Sequence, residues 1–360
     1  MHRPARLALL GLIPAVLLSA GCPEPGRADR RWPVMGTYAT VEIHASNQET
    51  ADDIAERIRD AFGRVDASMS NWSEASTISR INREARSGPF RIEDPDVYRV
   101  LKLAREYARL TDGAFDPTVG PLMRLWGFRP HEPRVPSEQE IRAALEHVGW
   151  QRFELLPEHR SVRFLDDRIE IDLGGIAKGY ALDVALRNFA LTGAVGGMLD
   201  LGGNLAVWGV PPEADTWTVG IRDPDDAEGV LAELDLRDRA VATSGNYENA
   251  FDDGDATYGH LMDPRTGRPA SSDVLAATAI ADSGAQADAY ATAFFVGGSL
   301  AIEPMLRDNA RLEAVLLVDR AEGPTLIASA SLRGRLRPTP EFAERLGGRI
   351  RFVLPPSSMR

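Results

Sequence analysis

The sequence predicts an α+β fold, with mixed or largely antiparallel sheets packed against helices in a single large domain that has room for two lobes. Apolar residues recur at helical spacing over 49–69, and a second helix fits 95–110. A third helix is expected to begin at Ser137, where Glu140 completes a capping box. After residue 196 the chain has short strand-like runs separated by Gly, Asp and Pro turns, which is not the strand–helix alternation of a doubly wound parallel sheet.

The expected strands are runs in which apolar and β-branched residues alternate with polar ones. In chain order these runs are 37–44, 152–156, 161–165, 197–209, 216–223, 231–236, 239–245, 276–282 and 312–319. One further strand, within 168–175, is expected to end at Asp172, and helices are expected over 176–190 and 285–295. No linker marks a boundary after residue 31, so 32–360 is expected to be the folded domain.

The N-terminal segment has the composition of an export signal. An apolar run over 7–20 is too short to cross a bilayer as a helix, and Ser19-Ala20-Gly21 then precedes Cys22. This pattern predicts a signal peptide over 1–21, lipidation of Cys22, and a flexible tether over 22–31. The protein would then be exported and held at the periplasmic face of a bacterial membrane by the lipid alone. The alternative is an ordinary signal peptide followed by an incidental cysteine.

The charge and cysteine content exclude several classes of function. The formal net charge is −12, and loss of Arg3 and Arg6 with the signal would make it −14. Nucleic acid is therefore not an expected partner, because its binding depends on clustered basic residues. Cys22 is the only cysteine, so the chain can form neither an internal disulfide nor a thiolate metal cluster. An anionic ligand would need a metal ion or backbone amides to neutralise its charge.

The segment IDLGGIAKGYALD, residues 171–183, combines glycines with a lysine in a way that suggests phosphate binding. It matches neither a Walker loop nor the Gly-x-Gly-x-x-Gly dinucleotide fingerprint. A tight turn followed by a helix would still present free amides, and Lys178, to an anion. The alternative is a plain turn with a surface lysine.

Four other positions are candidates for chemistry. Asp288 and Thr292 are four residues apart on an expected helix, so their oxygens would share one face and suit Mg²⁺. The alternative is an aspartate at the N-terminus of the helix and a threonine whose hydroxyl is hydrogen-bonded to its own backbone. His260 lies beside a turn and could accept a proton, although most lone histidines are structural. Trp72 is either core filler or a flat surface for an aromatic ligand.

The order of the motifs resembles one known family, the ApbE family of bacterial FAD:protein FMN transferases, many of which are exported lipoproteins. The resemblance runs from about residue 32 to at least 320. It is carried by Met35-Gly36-Thr37, MSNWSEASTISRIN, GAFDPTVGPL, IDLGGIAKGYALD, LDLGGN, VATSGNYE, HLMDPRTGRP and ADAYATAFF.

The resemblance implies Mg²⁺-dependent cleavage of the FAD pyrophosphate, transfer of FMN to a Ser or Thr of an acceptor protein, and release of AMP. It implies that Mg²⁺ is held by the carbonyl of Ala177 and the side chains of Asp288 and Thr292, and that His260, with Asp288, is catalytic. The FAD site that it implies consists of Met35, Trp72, Ala114, Phe115, Asp116, Gly175, Lys178, Asp183, Thr243, Ser244 and Met262. The acceptor that it suggests is a subunit of a membrane electron-transfer complex.

One departure from the family pattern leaves two alternatives open. Many relatives have a tyrosine where this chain has Trp72, which can stack on a flavin but has no phenolic hydroxyl. The alternatives are an Mg²⁺-dependent FAD pyrophosphatase, in which water replaces the acceptor hydroxyl, and a non-catalytic flavin-binding lipoprotein.

Overall fold

A large sheet with helices on one face and a smaller sheet on the other organises the chain. The computed structural model describes residues 25–353, with gaps at 130, 188, 190–192, 246–248, 255, 308 and 310. The helices are α1 (Gln48–Met69), α2 (Thr77–Glu84), α3 (Pro95–Leu110), α4 (Gly120–Leu125), α5 (Glu138–Leu145), α6 (Ala177–Leu186), α7 (Gly284–Gly297), α8 (Ile302–Leu306) and α9 (Pro340–Leu346). None of these described helices is long and apolar enough to cross a membrane.

The strands belong to the large sheet and to four smaller ones. In chain order they are β1 (Gly26–Val34), β2 (Thr37–Ala45), β3 (Phe90–Arg91), β4 (Phe153–Leu156), β5 (Ser161–Phe164), β6 (Ala194–Leu201), β7 (Asn204–Gly209), β8 (Trp217–Asp223), β9 (Asp226–Leu236), β10 (Arg239–Gly245), β11 (Ala250–Asp253), β12 (Ala256–Gly259), β13 (Met262–Asp263), β14 (Arg268–Pro269), β15 (Val274–Ala281), β16 (Glu313–Val318), β17 (Thr325–Ser329), β18 (Leu336–Pro338) and β19 (Ile350–Val353).

The large sheet has the spatial order β1-β2-β6-β7-β10-β15-β16-β17-β19. Its neighbouring strands are antiparallel, except for the parallel pair β17–β19. The smaller sheets are β18-β9-β8, β3-β5-β4, β11-β12 and β13-β14. This confirms the α+β prediction and its largely antiparallel pairing.

The two faces of the large sheet are buried against different layers. Along β10, Ala240 and Ala242 belong to the core cluster that contains α1, α6 and α7, whereas Val241 belongs to the cluster that contains β8 and β9. Side chains alternate between faces along a strand, so this period of two gives one face to each layer. Alanines also predominate on the helix face of β15, and small side chains there let the helices approach the sheet closely.

Helices α6 and α7 touch at a pair of glycines. A Cβ added to Gly179 would lie 2.0 Å from the carbonyl oxygen of Gly284, and one added to Gly284 would lie 2.2 Å from that of Gly179. The two backbones are therefore in direct contact, which any larger residue at either position would prevent. This contact sets the distance between the two helices that carry the expected site.

Three boundaries differ from the sequence-based expectation. Strand β1 begins at Gly26, so residues 26–31 pair with β2 and are not the predicted tether. Residues 169–173 belong to no helix or sheet, so the strand expected to end at Asp172 is wrong. The helix expected over 176–190 is α6, which ends at Leu186. The predicted Cys22 lipidation lies outside the described residues.

The glycine contact gives a stability prediction. Replacing Gly179 with Ala should lower the free energy of unfolding by about 2 to 4 kcal/mol, because the new methyl group would force α6 and α7 apart. The matched control is Gly63→Ala on α1, where an added Cβ has nothing within 4 Å. That substitution should leave stability unchanged or raise it by up to about 1 kcal/mol. Urea unfolding of both variants measures the difference, and equal effects would contradict the packing argument.

Candidate active site

The Gly-rich turn follows a segment that two asparagine side chains hold in place. Asn82 Oδ1 accepts the Ile171 N–H at 2.8 Å, and Asn82 Nδ2 donates to the Ile171 carbonyl at 2.9 Å. Asn71 Nδ2 donates to the same carbonyl at 3.0 Å. Asp172 Oδ1 then accepts the Gly174 N–H at 2.8 Å and turns the chain. These side chains take the place of a neighbouring strand.

Gly175 lies between two predicted site residues. A Cβ at this position would lie 3.1 Å from Thr292 Oγ1 and 3.2 Å from Phe115 Cε2. The backbone of the turn therefore passes close to the α7 hydroxyl because Gly175 has no side chain. Ser244 Oγ lies 3.4 Å from the same Thr292 hydroxyl. The structure thus brings together four of the predicted FAD and Mg²⁺ residues, which are Phe115, Gly175, Ser244 and Thr292.

Asp288 is one helical turn away on α7 and is 5% exposed. Its Oδ2 accepts the Gly179 N–H from the first turn of α6 at 2.9 Å. Burial raises the pKa of Asp288, and the positive charge of Lys178 opposes that rise. Ala177 lies between Gly175 and Gly179 in the chain. The first turn of α6 therefore runs along the face of α7 that carries Thr292 and Asp288.

This arrangement is compatible with the implied Mg²⁺ site. The described part of the chain contains no cluster of three or more His, Cys, Asp or Glu side chains able to hold a metal. The implied donor set does not depend on such a cluster, because it combines one carboxylate, one hydroxyl and one main-chain carbonyl. All three are hard oxygen donors of the kind that Mg²⁺ prefers. The close approach at Gly175 brings main chain next to the hydroxyl, as a mixed set of this kind requires.

Asp183 occupies a structural position beside this cluster. Its carboxylate accepts the Gly284 N–H at 2.6 Å and the Ala285 N–H at 3.0 Å, so a residue of α6 caps the N-terminus of α7. Removal from water raises its pKa to about 6, while the two amides act in the opposite direction. Both oxygens are already engaged, and the predicted contact of Asp183 with FAD stays untested.

The loop over 114–116 is fixed between the Gly-rich turn and the end of α7. Asp116 Oδ1 accepts the Thr118 N–H at 2.8 Å and its hydroxyl at 2.6 Å, and Asp116 Oδ2 accepts the Trp150 N–H at 2.8 Å. Burial raises the pKa of Asp116. A Cβ on Gly297 would lie 4.0 Å from the Ala114 methyl group. The Asp116 side chain thus positions the loop. The Ala114 and Phe115 side chains are buried in the core, and the predicted contact of this loop with FAD stays a prediction.

Met35 and Trp72 both lie near the C-terminal end of α1. Met35 has φ of 52° and Gly36 has φ of 71°, which is the left-handed turn that connects a tight hairpin. Asp66 on α1 accepts the Met35 N–H at 3.2 Å and stabilises this unusual backbone. Trp72 is 69% exposed and therefore is not core filler. An exposed flat ring beside the Asn71 contact suits the predicted stacking role, which stays a prediction.

The hairpin that carries His260 is attached to the far end of α7. Nδ1 of His260 lies 3.1 Å from the Asn249 carbonyl oxygen. Arg265 Nη2 donates to the Val296 carbonyl at 3.1 Å. Met262 is buried with Trp126 in a third hydrophobic cluster. Its side chain is therefore part of the packing that supports His260.

The fold separates the Thr243 side chain from Ser244 and the α7 residues. The Thr243 hydroxyl lies 2.9 Å from that of its cross-strand partner Thr278. The adjacent Ser244 faces Thr292, and successive side chains of a strand point to opposite faces. The Thr243 side chain therefore faces the layer opposite α7.

Three residues that support the site are not predicted from the sequence. Asn204, buried after the β6–β7 turn, lowers the pKa of Asp288. Asn82 supports Ile171 as described above. Arg129 is buried and pairs with Glu170 at 2.7 Å beneath the same segment. Asn82 and Asn204 both lie in motifs that carry the family resemblance, but nothing in a single sequence shows which backbone groups or side chains an asparagine will contact.

The fold and the site define a class of protein in which a glycine-rich turn is packed against a carboxylate and a hydroxyl of one buried helix. A family model described as "ApbE family" matches residues 35–316. The chain belongs to the ApbE family. This confirms the resemblance seen in the motifs.

Named relatives and solved structures agree with this assignment. The chain is 30% identical over 325 residues to the FAD:protein FMN transferase of Vibrio cholerae, covering 89% of this chain and 96% of the relative. It is 29% identical over 303 residues to the Escherichia coli K12 protein of the same name, covering 80% and 86%. An ApbE protein of Thermotoga maritima superposes with a TM-score of 0.76 at 34% identity, covering 86% of this chain and 99% of that one. The flavin transferase ApbE of Vibrio cholerae gives the same TM-score at 28% identity, with the same coverage.

Asp183 gives a pH prediction. Its native pKa of about 6 lies above the usual value for an aspartate, so the native state binds more protons than the unfolded state between about pH 4 and 6. Stability from this group is therefore greatest below pH 4 and is lost as the pH rises through 6. The free energy of unfolding of the wild type minus that of Asp183→Asn should fall by about 1 to 3 kcal/mol between pH 4 and 7. Urea unfolding at four pH values tests this, and a difference that is independent of pH would contradict it.

Proposed function

We propose that this protein is an Mg²⁺-dependent FAD:protein FMN transferase, which attaches FMN through a phosphoester bond to a Ser or Thr of an acceptor protein and releases AMP. The observation that carries the proposal is the contact of the Gly-rich turn and α6 with Thr292 and Asp288 in a chain of the ApbE family. The names of the relatives support the same activity.

The oxygen donors of α6 and α7 would hold the metal. Asp288 and Thr292 supply a carboxylate and a hydroxyl, and Ala177 supplies a carbonyl from the first turn of α6. When bound, Mg²⁺ supplies positive charge that neutralises the pyrophosphate and the leaving AMP. A chain with a formal net charge of −12 has particular need of such a cation near a polyanionic substrate. Lys178, whose charge already acts on Asp288, adds to it.

His260 is suited to accept the proton of the attacking hydroxyl. The Asn249 carbonyl can only accept a hydrogen bond, so Nδ1 of His260 carries the proton in their 3.1 Å contact. This tautomer places the lone pair on Nε2, which is the atom able to act as a base. In the proposed step, the acceptor oxygen forms a bond to the FMN phosphorus, the bond from that phosphorus to the AMP oxygen breaks, and the hydroxyl proton passes to Nε2.

A mixture of the protein lacking residues 1–21, FAD, Mg²⁺ and twelve-residue peptides with one central Thr tests the function. The peptides have random flanking residues, and mass spectrometry follows peptides, FMN and AMP. Peptides that gain FMN, with an equal amount of AMP, support transfer. Free FMN and AMP without labelled peptide support the pyrophosphatase alternative. FAD that stays intact would refute both enzyme activities and favour a flavin-binding lipoprotein.

The metal ligands give a matched set of variants. Asp288→Asn should reduce turnover by about 100-fold or more, because a neutral amide cannot replace the buried carboxylate. Thr292→Val should raise the Mg²⁺ concentration for half-maximal rate by about 10-fold or more, whereas Thr292→Ser, which keeps the hydroxyl, should not. Titration of the rate with Mg²⁺ measures both effects. Equal Mg²⁺ requirements for the Val and Ser variants would remove Thr292 from the metal site.

We further propose that the protein is exported and anchored to the periplasmic face of a membrane by lipid on Cys22, where a subunit of a membrane electron-transfer complex would be within reach as acceptor. The support is the N-terminal sequence pattern, since Cys22 follows an apolar run and three small residues. Cys22→Ala should move the full-length protein from the membrane fraction to the soluble fraction. Immunoblots of both fractions measure this, and unchanged membrane association would refute the lipid anchor.

A further inference from the structure

A cavity of about 410 Å³ lies beside the hairpin that carries His260. One wall is formed by Thr257, Tyr258 and Gly259, which immediately precede the histidine in the chain. The opposite wall is formed by residues 268–272, which return from the same hairpin. His260 therefore directly follows one wall of the cavity in the chain and precedes the hairpin formed by β13 and β14. None of the predicted FAD or Mg²⁺ residues lines this cavity.

The cavity is a fixed part of the fold. The Ala270 N–H donates to the Leu261 carbonyl at 2.7 Å, which ties the second wall to the residue after His260. Ser272 Oγ donates to the Phe295 carbonyl at 2.7 Å, so the same wall is attached to α7. The ring of Trp126 is fully buried beneath, and its Nε1 donates to the Gly267 carbonyl at 2.9 Å. The cavity thus keeps a defined position relative to both His260 and α7.

One exposed leucine lines the cavity, and a second lies in the segment that follows α7. Leu275, which lines the cavity, is 39% exposed, and Leu300 is 90% exposed. Leu300 follows Ser299, whose N–H and hydroxyl donate to Asp273 at 2.9 and 2.5 Å. The adjacent Gly298 is in contact with Ser272, because a Cβ there would lie 3.5 Å from the Ser272 Cβ. These two leucines are the exposed apolar side chains that an aliphatic group of a bound peptide would contact on this part of the surface.

The charges around the cavity favour an uncharged ligand. Arg268 pairs with Glu138, and Arg265 pairs with Asp263 at 2.8 Å. Arg320, next to the Ser299 contact, pairs with Asp273 at 3.0 Å. Each of these three arginines therefore has a carboxylate partner. The cavity presents hydroxyls, main-chain groups and apolar carbon, which suit a neutral peptide better than a phosphate.

Strand β12 provides a means of binding main chain. Among the strands of the described residues, β12 pairs with β11 alone. Its residues 257–259 line the cavity, whereas no residue of β11 does, so β12 is the strand of this pair that lies beside the cavity. An extended peptide can add to the edge of such a strand through main-chain hydrogen bonds, while pockets for alternate side chains give specificity.

We propose that this cavity is the acceptor groove. It binds an extended, uncharged segment of the acceptor protein along β12, with an aliphatic side chain against Leu275 and Leu300, and so brings the Ser or Thr hydroxyl to His260. The inference rests on the proposed transferase activity and identifies where its second substrate binds.

The test uses the random-flank peptide library described above with the wild type, Leu275→Glu and Leu300→Glu. The matched control is Leu165→Glu, another exposed leucine (59%) that does not line the cavity. Wild type and control should label peptides with an aliphatic residue near the central Thr. In Leu300→Glu and Leu275→Glu, labelling of those peptides should fall by about 10-fold, and peptides with Lys or Arg at the same flanking position should be enriched. FAD affinity of each variant is measured by quenching of flavin fluorescence.

The outcomes separate the groove from the activity. A charge-dependent change of flanking preference in the two groove variants, absent from Leu165→Glu, supports the groove. The same flanking preference in all four proteins overturns it, as does a loss of labelling that is matched by an equal loss of FAD affinity. FAD cleavage by the wild type without any labelled peptide overturns the groove while leaving the pyrophosphatase alternative. Absence of FAD cleavage refutes the proposed activity, and the groove with it.

Discussion

The contact between α6 and α7 at Gly179 and Gly284 is the constraint on which the site depends. Because neither glycine has a side chain, the two helix backbones meet directly. At this separation Asp183 can cap α7, and the Gly179 N–H can reach Asp288. The buried carboxylate is held by the helix opposite and not by its own helix. A slightly wider crossing would leave both polar contacts unmade in a part of the core from which water is largely excluded.

The sequence predicted most of the elements because their patterns report burial directly. The alternation in β10 and β15 and the capping box at Ser137 correspond to strands and a helix start in the structure. The error at Asp172 has the same origin. Ile169, Ile171 and Leu173 are all buried, as the residues of a strand would be. The Ile171 backbone is paired with asparagine side chains, and the Asp172 N–H donates to the Pro117 carbonyl outside any sheet. Periodicity cannot distinguish these partners from a neighbouring strand.

The site was predictable as separate pieces and not as an assembly. The four-residue spacing of Asp288 and Thr292 does place both on one face of α7, as helical geometry requires. Their contacts with Gly175 and Gly179 join segments more than 100 residues apart, as the Gly179–Asp288 separation of 109 shows. Such contacts depend on the absence of side-chain atoms, which leaves no pattern in one sequence. The motif order identified the family and therefore supplied the site that local patterns left ambiguous.

The early start of β1 changes how far an anchored protein could move. The sequence alone suggested about ten flexible residues after Cys22, but Gly26 is already paired with β2. Four residue steps span at most about 14 Å when fully extended. A lipid on Cys22 would therefore hold the edge of the large sheet close to the bilayer surface. The acceptor would have to reach the site of a protein that cannot move far from the bilayer, so its own distance from the membrane would become part of how it is selected.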